Sequence, residues 1–156
     1  MIYKSHTLDL TVVLADDVLS HFKEHQQKSK RDKESGGQLF AVINENGNHW
    51  TIEKATGPDR KDFRSRFGFK ANRKLEQNDI NSAFEKGLHF VGDWHTHPES
   101  HPTPSFDDKK SISDIFIKSK HELPGFIMII VGNDELGNLW ISISSDKFHE
   151  TLVKLG

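Results

Sequence analysis

The chain has 156 residues, 34% of them hydrophobic and 28% charged, with a formal net charge of -2 and no cysteine. A chain of this length can bury one real core but not two. The charge excludes a global basic field for nucleic acid, and the cysteine count excludes disulfides, thiol nucleophiles and cysteine-built zinc sites together.

The opening residues, MIYKSHTLDL, hold no apolar stretch of signal-peptide length, so a cytoplasmic location is expected. LDLTVVL, from Leu8 to Leu14, alternates and is β-rich, which predicts a strand. A helix is expected next over DDVLSHFKEHQQKS, with Asp16 as its N-cap and Val18, Leu19 and Phe22 on one face. KSKRDKE is a polar connector. GGQLFAVI, from Gly36 to Ile43, then reads as a buried strand behind two glycines. The Asn-Gly pair inside NENGN suits the positive φ of a hairpin turn, and HWTIEKAT returns as the partner strand. FRSRFGF, from Phe63 to Phe69, alternates at period two and predicts one strand, with Arg64 and Arg66 opposite Phe63, Phe67 and Phe69. It lies in a basic stretch, Asp59 to Lys74, with seven Lys or Arg against two Asp.

Asn72 is placed to cap a helix that runs through Lys86 and stops at Gly87. LHFVGDWHTH predicts a strand ending at His97. SFDDKKSISDIFIKSK predicts a helix with Ile112, Ile115 and Phe116 inward. GFIMIIVG is a near-continuous apolar strand, expected at the centre of the sheet. Its apolar run is far too short to span a bilayer, so no membrane partner is expected. LWISISS is its neighbour, and DKFHETLVKL predicts a short closing helix. Strands outnumber helices, and no repeat or linker divides the chain. One α/β sandwich over residues 1–156, around a curved, mixed sheet, is therefore expected.

The chemistry concentrates in GDWHTHPESHPTPSFDD, Gly92 to Asp108, which holds three histidines, three prolines and four acids. His95 and His97 are two apart at a strand end, so both rings leave the same face and can reach one ion. Pro98 ends the ladder, and Pro102 and Pro104 keep the loop stiff. Ser105 opens a helix in a capping-box pattern, which puts Asp108 in the first turn, where the helix dipole favours a carboxylate. Asp107 competes with it, but adjacent residues in a helix point about 100° apart, so only one of them can turn toward the histidines. Two imidazoles and one aspartate leave a tetrahedral ion one open position, the catalytic form of zinc site. Hydrolysis also needs a base near the ion but not bound to it. Glu34 is the choice, just ahead of the glycine-led strand, with Glu24, Glu45 and Glu53 as rivals. His101, four residues past His97, breaks the spacing and reads as a loop residue. The other seven histidines, His21 and His25 among them, carry no role, and Trp94 reads as core packing.

His95-x-His97, seven residues, then Ser105-x-x-Asp108, with Glu34-Ser35-Gly36-Gly37 upstream, resembles the signature of the JAMM metallopeptidases, the MPN/JAB domain. The resemblance implies the MPN/JAB fold, related to that of cytidine deaminases. It implies one zinc ion on His95, His97 and Asp108, with Glu34 as general acid/base and Ser105 as the oxyanion donor. Family members cleave after the C-terminal tail of ubiquitin or a ubiquitin-like protein. The fuller string, with RSRFGF ahead of it, looks most like the stand-alone bacterial branch. That branch includes the peptidases of CBASS anti-phage operons, which remove a conjugated CD-NTase, the cyclic-oligonucleotide synthase, from its targets. The expected partner is thus a protein with an extended C-terminal tail, and no nucleic acid. Arg64 and Arg66 are candidate substrate contacts on a strand edge that such a tail could join; a solvated charged strand is the plain alternative. A sulfur-carrier peptidase and a non-catalytic scaffold are the rival functions.

Overall fold

The structure is a computed structural model that describes residues 1–29, 31–59, 62–65, 68–70 and 72–156. The elements before the basic stretch are β1 (Ile2–Ser5), β2 (Leu10–Leu14), α1 (Asp16–Glu24), β3 (Gly36–Ile43) and β4 (His49–Ala55). There follow β5 (Phe63–Ser65), β6 (Gly68–Lys70), α2 (Arg73–Glu85), β7 (His89–Thr96) and α3 (Phe106–Lys118). The chain closes with β8 (Phe126–Val131), β9 (Trp140–Ser144), β10 (His149–Thr151) and β11 (Val153–Leu155).

Nine strands form one mixed sheet in the order β10-β9-β8-β7-β3-β4-β2-β1-β11. The pairs β2–β4 and β7–β8 are parallel, and the rest are antiparallel. The two edge strands follow one another in sequence with only Leu152 between them. One residue cannot cross a flat nine-stranded sheet, so the sheet curls until its edges nearly meet. This is the curved, mixed α/β architecture that the pattern predicts.

The apolar strand β8 shows why the fold needs two cores. All six of its residues are buried. Ile127, Ile129 and Val131 join the large core with Val18 and Phe22 of α1. Phe126, Met128 and Ile130 join a smaller core with Ile112 of α3, against which Ile115 and Phe116 pack. Period-two alternation thus serves both faces of one strand. The strand is interior but third from the β10 edge; the middle position belongs to β3.

Strand β7 does not keep this alternation. Leu39 pairs with Gly92 while the next residue, Phe40, pairs with Phe90, so β7 carries one extra residue. Val91 and Trp94 consequently both face the α1 core, three positions apart. Gly92 sits at φ 148°, and a Cβ there would lie 1.8 Å from the carbonyl oxygen of Ile127. A bulge of this kind re-aims every side chain beyond it.

Four expectations are corrected. The closing helix is instead β10 and β11, because Thr151 and Val153 lie in segments that pair with β9 and β1 and so complete both sheet edges. FRSRFGF is not one strand: β5 and β6 pair with each other, Arg64 opposite Phe69, in a two-stranded sheet of their own. Helix α1 is capped by Ala15 without a side-chain bond, with Asp16 and Asp17 in its first turn, and it ends at Glu24. The opening residues form β1, which pairs with β2 and β11. Among the described residues no helix is long and apolar enough to cross a membrane.

Because the bulge leaves no room for a side chain, Gly92→Ala should cost at least about 2 kcal/mol, from strained backbone and displaced β8. Chemical denaturation would read that loss. A variant as stable as the parent would mean that the register shift is not locked by this glycine.

Candidate metal centre

With the phase of β7 shifted at Gly92, Asp93 and His95 face α3, and His97 follows one step past the strand end. The loop beyond is pinned. Pro102 is buried, and its Cδ and the Glu99 carbonyl sit where a Cβ on Gly132 would be, so only glycine lets the loop down onto β8. The Asn133 N–H donates to the Glu99 carbonyl at 2.8 Å. The loop thereby brings the chain to Ser105, whose Oγ accepts the Asp108 N–H at 3.0 Å while Asp108 Oδ2 accepts the Ser105 N–H at 2.9 Å. This capping box turns the Asp108 carboxylate back over the sheet. Asp107 is exposed and points elsewhere.

Three donor atoms now converge. His95 Nε2 and His97 Nε2 are 3.1 Å apart. Asp108 Oδ2 lies 3.2 Å from the first and 3.3 Å from the second. The ligands of a tetrahedral zinc ion are separated by about 3.3 Å, given bonds near 2.0–2.1 Å. The triangle therefore fits such an ion, and its donors are of the right type. Three lone pairs aimed at one point repel unless a cation lies between them.

Glu34 completes the cluster. Gly36 pairs with His95 across β3 and β7, so Glu34 arrives opposite His97. One ligand atom each from Glu34, His95 and His97 lie within 4.8 Å of one another. Close approach of β3 depends on Gly37, where a Cβ would lie 1.7 Å from the Thr56 carbonyl oxygen. That same oxygen accepts the Trp94 Nε1–H at 2.8 Å, and Trp94 is buried in the α1 core as its spacing implies. Among the rivals, Glu45 and Glu53 are exposed on the hairpin and β4, and Glu24 lies on α1.

The environment separates the acids. Burial raises Glu34, with the two imidazoles opposing it. Burial also pushes Asp108 upward, but His95 and His97 beside it win and hold it well below the usual carboxylate range. Burial lowers His97, yet Asp108 beside it outweighs this and the net shift is upward. Burial thus favours the neutral form of one carboxyl, while the neighbours of the other keep it ionised.

Of the remaining sequence candidates, Ser105 adjoins the cluster through Asp108, and the others lie apart from it or outside the described residues. Ser105 is exposed, and its lone pair is used by the cap. Arg64 lies on β5, whose side chains are outside the described residues, and Arg66 is itself outside the described residues. His101 is exposed beside Ser100 and outside the cluster. His21 and His25 form a second grouping with Glu24, but their rings pack on Trp94 and bond to the carbonyls of Gly57 and His21.

Two features escaped the sequence reading. Asp93 precedes His95 by two and so shares its face, a period-two signal that was there to use. Thr96, between the ligands, faces the other way and ties three segments together. Its Oγ1 accepts the Ser35 N–H at 2.9 Å and donates to Gln27 Oε1 at 2.8 Å, with all three residues buried. Thr96→Val, which keeps shape but not the hydroxyl, should cost about 1–3 kcal/mol. Thr96→Ser should restore most of it in thermal unfolding. Equal stability of the Val variant would show that the network does not hold Ser35 in place.

The family model for prokaryotic homologs of the JAB domain matches residues 16–142. A CD-NTase/cGAS isopeptidase from Escherichia coli is 32% identical over 136 residues, covering 85% of this chain and 81% of its own. One from Pseudomonas aeruginosa is 33% identical, covering 76% and 75%. A probable metalloprotease from Sinorhizobium fredii is 28% identical, covering 70% and 71%. A solution structure of a Desulfitobacterium hafniense protein shares the fold at a TM-score of 0.62 and 16% identity, over 90% of this chain and 88% of that one. The matched span takes in Glu34, His95, His97, Ser105 and Asp108, and the chain belongs to the prokaryotic family of JAB-domain proteins.

Proposed function

We propose that this chain is a zinc-dependent isopeptidase that cuts the amide bond after a protein's extended C-terminal tail. The observation that carries the reading is the donor triangle of His95, His97 and Asp108, with sides of 3.1 to 3.3 Å, beside a half-buried glutamate. A zinc ion held there would polarise the scissile carbonyl and lower the pKa of a water to about 7. Glu34 accepts the proton of the attacking water and delivers it to the departing amine as the C–N bond breaks. Its raised pKa suits both halves of that task. The Ser105 oxygen takes the Asp108 N–H through a lone pair, so its own proton remains to donate to the oxyanion. The hairpin of β5 and β6 offers an edge on which a tail can lie extended, with Arg64 and Arg66 as contacts.

The relatives named CD-NTase/cGAS isopeptidases favour a substrate of one kind. It is a target protein conjugated through the C-terminus of a CD-NTase, released in cytoplasmic anti-phage defence. The experiment is cleavage of such a conjugate by zinc-loaded protein. Glu34→Ala should keep its zinc and lose at least about 10²-fold in rate. His97→Ala should lose both zinc and cleavage. A Glu34→Ala protein that cuts at the parental rate would place the base elsewhere, and a His97→Ala protein with full zinc content would refute the triangle as the metal site.

A further inference from the structure

A cavity of ≈ 150 Å³ opens beside the donor triangle, between α2, α3 and the face of β7 and β8. Ile112, Ile115 and Met128 give it an apolar side. Its acids are Glu34, Asp108, Glu76 and Asp93, and Arg73 is its cation. Their charges do not all find partners. Glu34 and Asp108 face the metal position, where a divalent ion would balance both. Glu76 pairs with Arg73 at 3.3 Å and accepts from Gln38 Nε2 at 3.2 Å. Asp93 remains. Its side chain lines the cavity, and its buried Oδ1 has no hydrogen-bond partner among the described residues. A buried carboxyl oxygen left without a donor costs stability until a cation or donor reaches it.

We propose that this chamber is a specificity subsite for one basic side chain of the substrate, of lysine size, with Asp93 as its acceptor. The inference rests on the hydrolase reading above. His95 and Asp108 belong both to the chamber wall and to the donor triangle, so the side chain received here lies within a residue or two of the scissile bond. The volume equals that of roughly five waters, about one lysine side chain. Such a chain lays its methylene stem on apolar surface and presents its ammonium at the end. Ile112, Ile115 and Met128 supply that surface, and Asp93 supplies the end.

The test reads binding without turnover. Nα-acetyl-lysine amide and its neutral counterpart, Nα-acetyl-6-hydroxynorleucine amide, are titrated into zinc-loaded protein while the backbone amide signals of Ser111 and Ile112 are followed by NMR. The lysine probe should bind at least about fivefold more tightly, the equivalent of about 1 kcal/mol. Asp93→Asn should reduce the difference below about twofold at unchanged zinc content. Arg73→Gln removes the competing cation from an exposed side chain and should tighten the lysine probe, a gain that misfolding cannot imitate. Equal binding of the two probes overturns the subsite. So does an undiminished preference in zinc-loaded Asp93→Asn. If that variant fails to hold zinc, an Arg73→Gln protein that binds the lysine probe no better overturns it instead. A charge preference without cleavage of any conjugate refutes the hydrolase reading alone, whereas cleavage without a charge preference refutes the subsite alone.

Discussion

The antiparallel register between β3 and β7, with one extra residue at Gly92, is the constraint on which the site depends. Without that residue, alternation from Val91 would put Asp93 and His95 into the α1 core. With it, both face the cleft under α3, and Trp94 takes the core position. The same register, Gly36 opposite His95, carries Glu34 to His97. Two glycines make the arrangement possible for different reasons. Gly92 adopts a positive φ against the backbone of β8, and Gly37 lets β3 pass under the Thr56 carbonyl.

The two faces of β7 divide the labour. On the α1 side, Thr96 links Ser35 and Gln27 in a buried, satisfied network that holds the connection to Glu34. Such networks specify one arrangement only when every member is bonded. On the α3 side, charge is concentrated and incompletely satisfied. Asp108 is held ionised by its neighbours, Glu34 is raised by burial, and Asp93 Oδ1 has no partner among the described residues. A rigid, satisfied face supporting a strained, charged one is how a fold keeps reactive groups in place.

Legibility followed the range of the signal. The capping box at Ser105 and the Asn72 cap on α2 are local, and the structure has both. The Asn-Gly turn appears with Gly47 at φ 74° between β3 and β4. DKFHETLVKL looks helical in isolation, yet it supplies both sheet edges, because unpaired ladders on β9 and β1 compete for its backbone. The hairpin at β5 and β6 was hidden for a related reason. Its seven-residue alternation suits one strand as well as two, and pairing alone decides between them. Alternation puts Asp93 on the face of His95, but only the fold encloses it under α2 and α3.

By itself the sequence determined the ligand types, their order and their spacing. These depend on covalent neighbours: two histidines two apart, a stiff proline loop, and a capping serine three residues before an aspartate. It also determined the family. Only the tertiary structure decided that Glu34, 61 residues before His95 in sequence, lies with the two histidines. It alone decided which acids are buried and where the sheet closes. Those outcomes depend on register, burial and edge pairing, which arise when distant strands meet and have no local signature in the chain.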